Sequence, residues 1–406
     1  MTRPAESLGN PRLWLAFATM LLVSGIANTF PVFFPPLLAE FGGSRGATAS
    51  TASLLWIGGA VLGPAAGFLV SRWNPRLLVT AGLVATALGM VAGTLAPSLD
   101  VFVLAVGLGG GIGVGLTGMT TQAALIADAY ERRRGLAMGI AFSGSMAAYA
   151  LAPPAQWVIN HVGWRGAFWG YVIAILLLLP WAWAVHPSRL GSRPAAGAGL
   201  AQAPTSPIPL GEIVRSVPFW SLAVLFTTPP LFGYLATTQH TLYFTARGIS
   251  ADAASLLLAV GGALAGCGRA LSGWVADRFG GPAAGFLSFS CSIVGMLCLL
   301  GMEVRPSLLF VAGYVFFLFL PLGSRATIVS VLVSRITPPA HYGVVFGLLG
   351  IGNSLGAAAG PWLSGAIYDR TASYLAIYLF ATAVALAGLA ALAVFVLTSR
   401  RPLPYR

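Results

Sequence analysis

The residue best placed to do chemistry in this 406-residue chain is Arg269. From Leu256 to Gly273 every other residue is uncharged. A cation deep in hydrocarbon costs roughly 2.5–3.5 kcal/mol or more unless it meets a counter-ion or a wet cavity. Gly262, Gly266 and Gly273 leave room beside it, and a planar guanidinium fork suits a carboxylate. The competing reading is an Arg that snorkels to the membrane face or packs on backbone carbonyls. Arg325 is a second cation inside an apolar run. Counted along their helices, both lie about 28 Å from the start of their spans. Two such charges repel unless an anion sits between them, which points to an anionic ligand. A helix-interface role for Arg325 is the alternative.

No acid is available to neutralise either. The ten carboxylates are Glu6, Glu40, Asp100, Asp128, Glu131, Glu212, Asp252, Asp277, Glu303 and Asp369, and all fall at helix ends or in loops. His240, followed by Tyr243, is the histidine well inside a span. It can bind or relay a proton near neutral pH, or simply pack. Asn28, Thr117, Ser143 and Asn353 are polar residues in apolar runs, able to line a cavity or to join helices. Gly107 to Gly115 holds glycines at phosphate-loop spacings, but no strand precedes it and no lysine follows, so close helix packing is expected. Gly135-x3-Gly139 and Gly343-x3-Gly347 read the same way. Cys267, Cys291 and Cys298 have neither metal-ligand nor disulfide spacing. No nucleophile set, metal cluster or cofactor motif appears, so an enzyme is not expected.

The elements that must hold these residues are membrane spans. The chain is 57% hydrophobic and 8% charged, far from the roughly one-quarter charge of soluble domains. Twelve runs of about 20 residues or more can cross a bilayer: 13–39, 47–71, 75–97, 99–128, 135–160, 165–186, 218–246, 250–276, 281–302, 306–334, 341–368 and 372–398. The net charge is +12, all of it from arginine over acid. The arginines lie scattered between spans, a topology pattern rather than a nucleic-acid footprint. With the N-terminus inside, fifteen loop and terminal arginines are cytoplasmic, and Arg45, Arg165, Arg247, Arg305 and Arg370 lie outside. That asymmetry places both termini in the cytoplasm. Arg132-Arg133-Arg134 reads as a topology anchor. A Pro/Gly/Ala/Ser-rich stretch divides the chain into a six-span half (1–186), a cytoplasmic linker (187–217) and a second half (218–406).

The halves repeat. Shifting by 208 positions brings Gly135, Gly139, Gly144 and Pro153 onto Gly343, Gly347, Gly352 and Pro361. At an offset of 206, Gly67 and Arg72 meet Gly273 and Arg278. A parallel repeat of this size predicts an all-α membrane protein whose halves rock about a cavity near the midplane.

Gly273-Trp274-Val275-Ala276-Asp277-Arg278-Phe279-Gly280 resembles the loop signature of the major facilitator superfamily. Gly67 and Arg72 keep its first-half counterpart, with Ser71 in place of the usual Asp. Three further stretches resemble the monocarboxylate and oxalate/formate porters. They are Phe33 to Arg45, Arg134 to Gly144 with Gly163-Trp164-Arg165, and His240 to Ser250 leading to Gly268-Arg269. The resemblance implies the major facilitator fold of twelve helices and gating by the two loop signatures. It implies a carboxylate held by Arg269, with His240 facing the outer part of the cavity. Ala265 stands where some of these porters carry an Asp, so proton symport and anion exchange both stay open. The implied protein works as a monomer in a cell inner membrane. Its partners are a small organic anion (lactate, pyruvate, formate or oxalate), protons as a candidate co-ion, and the lipid bilayer. An exporter of hydrophobic drugs is the alternative of the same fold.

Overall fold

A computed structural model describes residues 8–130, 133–188, 210–338 and 341–399. Most of the linker, Glu131 and Arg132, and the side chain of Ser71 lie outside the described residues. The described chain is helical: α1 (Pro11–Phe41), α2 (Arg45–Arg72), α3 (Pro75–Thr94), α4 (Leu99–Thr117), α5 (Met119–Ala129), α6 (Arg134–Ala147), α7 (Ala152–Val162), α8 (Trp164–Val185), α9 (Leu210–Arg215), α10 (Val217–Thr237), α11 (His240–Thr245), α12 (Ala251–Phe279), α13 (Gly281–Val304), α14 (Leu308–Phe319), α15 (Arg325–Ile336), α16 (Tyr342–Thr371) and α17 (Tyr374–Ser399). Among the described residues, eleven helical stretches are long and apolar enough to cross a membrane, and α14 is a shorter apolar helix.

Local chemistry sets the ends. Asn10 accepts a hydrogen bond from Arg12 N ahead of Pro11, and Ser44 caps α2 the same way. Gly42, with φ +60°, turns the chain out of α1, a left-handed position that suits glycine. Four segments expected as single helices are interrupted. α4 gives way to α5 at Gly118. A 3-10 turn over Ala148–Leu151 separates α6 from α7, ahead of Pro153 and Pro154, which have no N–H to give. α10 stops at Thr237 before α11, and residues 320–324, containing Pro321 and Gly323, separate α14 from α15. Such breaks are tolerated at membrane depth only where protein encloses the freed backbone.

The chain forms two compact units, one of residues 1–196 with 240–259, the other of 197–239 with 260–406. The first packs on an aromatic cluster in which Phe33 and Phe168 rings lie 4.8 Å apart, and Trp164 meets Phe102 at 5.5 Å. Its α4 glycines pack as expected: a Cβ on Gly109 would lie 2.6 Å from Gly89 Cα, and one on Gly111 3.2 Å from Gly58 Cα. The repeat is visible inside each unit. A Cβ on Gly144 would strike Phe17 O at 2.3 Å, while one on Gly352 would approach Ala223 O at 3.6 Å and Thr227 Oγ1 at 2.4 Å. Phe17 and Ala223 are themselves 206 positions apart. The expectation for Gly135, Gly139, Gly343 and Gly347 fails, because a Cβ on any of them meets nothing within 4 Å among the described residues. Those glycines face open space rather than a neighbouring helix.

Candidate functional site

Arg269 lies about two-thirds of the way along α12 and is half-buried. Its Nε donates to Gly323 O at 3.2 Å, in the break between α14 and α15. Backbone contact makes that bond possible. A Cβ on Gly268 would fall 1.7 Å from Leu320 O, and one on Gly323 2.4 Å from Ala265 O. With its Nε anchored, the guanidinium makes no ion pair among the described residues. Its terminal nitrogens keep their capacity for an incoming acceptor.

Arg325 differs. It is the first residue of α15 and only 5% exposed. Its Nη2 donates to Ser292 Oγ. Its guanidinium carbon lies 4.6 Å from the ring centre of Phe232 and 5.4 Å from that of Phe289. Nε and Nη1 are buried without a hydrogen-bond partner among the described residues. Two desolvated cation–π contacts at about 2 kcal/mol each, with a charged hydrogen bond of about 1.5–3 kcal/mol, offset much of a burial cost of several kcal/mol. Arg325 is therefore held largely by its own protein neighbours, whereas Arg269 is not.

Asn353 is half-buried on α16, also in the second unit. The other expected residues belong to the first unit. His240 is buried, its Nε2 lies 3.0 Å from Ala254 O, and its ring meets Phe244 edge-on at 4.7 Å. Because the carbonyl accepts, Nε2 carries the proton. Tyr243 is fully buried beneath the Arg247 guanidinium at 3.7 Å. Asn28 Nδ2 donates to Ser145 O at 2.7 Å, bridging α1 and α6. Thr117 and Ser143 hydroxyls turn back onto Gly113 O and Ile140 O within their own helices. Sequence reading missed Ser292, Phe232, Gly323 and the Tyr171–Thr29 hydroxyl pair at 2.9 Å. The signal for Gly323 was present in Pro321-x-Gly323, which breaks a helix next to a charge.

At the loop signatures, Arg72 lies 4.1 Å over Phe68, and Arg278 lies 5.9 Å from both Trp274 and Phe279. Gly67 would clash with Thr120 if given a Cβ, while Gly273 would not clash with anything. Asp277 is exposed. One polar cluster closes the far end of α8. Arg12 pairs with Asp128 at 3.3 Å, and Arg76 Nε donates to His186 O. His186 lies one residue beyond the apolar span Trp164–Val185, is buried, and has no partner for either ring nitrogen among the described residues. Burial, with Arg12 and then Arg76 adding repulsion, pushes its pKa down to about 4.

Comparison with known proteins agrees with this architecture. The model of the Major Facilitator Superfamily matches residues 15–324. Monocarboxylate transporter 13 of Bos taurus is 30% identical over 378 residues, covering 92% of this chain and 86% of its own. Monocarboxylate transporter 11 of Mus musculus is 30% identical over 387 residues, covering 92% and 84%. Among solved structures, a bacterial homologue of the human lysosomal transporter Spinster, inward-facing and occupied, superposes with TM-score 0.73 at 15% identity, covering 98% of each chain. The D-xylose-proton symporter gives 0.70 at 18% identity, covering 93% and 96%. The helical architecture, the matched residues and these relatives together make the chain a multi-pass membrane transporter belonging to the Major Facilitator Superfamily.

Proposed function

We propose that this chain carries small organic anions by alternating access, monocarboxylates of the lactate, pyruvate or formate type first among them. The single observation that carries the proposal is Arg269. It is a half-exposed cation in a membrane-spanning helix, anchored by Nε to Gly323 O and without a carboxylate partner among the described residues. A substrate carboxylate accepting from its terminal nitrogens would supply the missing counter-charge. The monocarboxylate transporters among its relatives support the same substrate class.

Arg325 assists through its field rather than by touching the anion, since phenyl rings and Ser292 enclose it. His240 and Tyr243 brace the outer access route from within the first unit, and Asn353 supplies a neutral hydrogen bond, while the Thr117 and Ser143 hydroxyls and one Asn28 N–H are already spent on backbone carbonyls. Proton symport and anion exchange are the two coupling modes, acting in a prokaryotic inner membrane, with the monomer as the working unit. Uptake of labelled C1–C4 acids into proteoliposomes, with and without a pH gradient, tests this. Concentrative lactate, pyruvate or formate uptake that depends on Arg269 is expected. No uptake of any carboxylate by the wild-type protein would reject the proposal.

A further inference from the structure

In the second unit, α12 and α13 run from the turn at Gly280 and enclose, with residues 320–324, a pocket of about 50 Å³. Leu271, Val275, Leu287, Cys291, Leu320 and Pro321 form much of its wall. Leu271 and Leu287 are 48% and 53% exposed. Both stand on helices long and apolar enough to cross a membrane, and a leucine exposed there is suited to hydrocarbon. At 1.5 Å per residue, these wall residues of α12 and α13 lie about 7–17 Å from the turn. That is the depth of the acyl chains in one leaflet of a core about 30 Å thick.

The turn carries the matching polar end. Arg278 and Arg335 are exposed, and an Arg335 nitrogen lies 3.6 Å from where a Cβ on Gly280 would be. Trp274 and Phe279 stand beside Arg278 and are exposed, the amphipathic aromatics of a membrane interface. Asp277 is exposed in the same turn, which leaves one net positive charge.

The geometry points to a binding site for one anionic glycerophospholipid. Its phosphate rests on Arg278 and Arg335, and a short stretch of one acyl chain enters the pocket against residues 320–324. Position and charge argue for a lipid, because the pocket opens between exposed leucines of two spanning helices and lies below the exposed arginines of the turn. The arginine pair selects lipids with net negative charge over zwitterionic ones. The chain bears directly on the segment that holds Gly323, and through it on Arg269.

Native mass spectrometry of the full-length protein, given phosphatidylglycerol and phosphatidylethanolamine in equal amounts, tests the site. One retained phosphatidylglycerol is expected. Each arginine near a membrane surface is worth about fivefold, so R335Q lowers retention about fivefold and R278Q/R335Q about 30-fold. Arg305→Gln, at the opposite end of α13, serves as the unaffected control. Cys291→Phe, which fills the pocket, lowers retention of the diacyl lipid. In nanodiscs, a lipophilic maleimide labels Cys291 more slowly with phosphatidylglycerol than with phosphatidylethanolamine, while Cys298 reacts equally in both. Equal retention of the two lipids, or wild-type retention by R335Q or by Cys291→Phe, would overturn the site.

Discussion

Arg269 and Gly323 are joined by one hydrogen bond, Nε to carbonyl oxygen at 3.2 Å, which ties α12 to the break before α15. The bond fixes one edge of the guanidinium and leaves the other edge for an acceptor. A lysine in its place keeps the charge but offers no fork. Arg269→Lys is expected to lower kcat/KM for monocarboxylate uptake at least tenfold in proteoliposomes, and Arg269→Ala to abolish it. Wild-type uptake by the lysine variant would remove Arg269 from the site.

Gly268→Ala places a methyl group 1.7 Å from Leu320 O, in backbone that has nowhere to yield. Overpacking of this kind costs about 1–3 kcal/mol or more. The expected result is a lowered melting temperature with reduced uptake. Gly266→Ala, whose Cβ meets nothing within 4 Å, serves as the matched control and stays close to wild type in both measurements.

Arg325→Met asks whether the second cation touches the substrate. Replacing a buried charge by an apolar side chain of similar length is often neutral or stabilising. Thermal stability should therefore hold or rise, and uptake should fall less than threefold. A loss as deep as that of Arg269→Lys would place the anion at Arg325 as well.

Outside the bilayer core, Glu40 receives Arg165 Nη1 at 2.6 Å and Trp164 Nε1 at 2.5 Å, and Arg165 Nε reaches Thr94 O at 3.0 Å. Arg165 thus staples the ends of α1, α3 and α8. A half-exposed ion pair contributes about 1 kcal/mol or less by itself, so Glu40→Gln should lower the melting temperature only slightly. Arg165→Met loses the pair and the Thr94 bond together, and should cost more. Equal melting temperatures for the two variants would show that the bond to Thr94 adds nothing.

His186 gives the fold a pH dependence with a definite sign. Its pKa is about 4 in the folded protein against 6.5 when exposed, so the unfolded chain binds the extra proton between those values. Stability is full above pH 6.5 and is lost as pH falls from 6.5 towards 4. The chain has only ten carboxylates, which leaves this signal with few competitors above pH 5. Melting temperature measured from pH 7 to pH 5 should drop in the wild type and drop less in His186→Phe, the buried neutral His240 accounting for what remains.

Much of the architecture was legible in composition and spacing. Long apolar runs announce helices because hydrocarbon leaves the backbone no other partner, and the glycine offsets announced the repeat that Gly144 and Gly352 display. Helix breaks were less legible. Gly118 and Pro321 looked like the ordinary glycine and proline content of membrane helices, and only the packing around them decides whether a helix bends or stops. The surroundings of Arg325 were hidden for the same reason. Periodicity placed its depth, but Phe232, Phe289 and Ser292 come from α10 and α13, far away in sequence. The neutral residues Thr117 and Ser143 turned inward onto their own helices, an option open to any hydroxyl and invisible to spacing.

The interrupted segment from Leu308 to Ile336 bears on how the chain is made. α15 is twelve residues long, begins with Arg325 and carries Arg335 in its last turn. It is too short and too charged to partition from the translocon unaided. α14 supplies the apolar length that α15 lacks, and Ser292 on α13 supplies an acceptor for the guanidinium. The tenth crossing therefore exists only as a composite, since neither α14 nor α15 has by itself the length of a span.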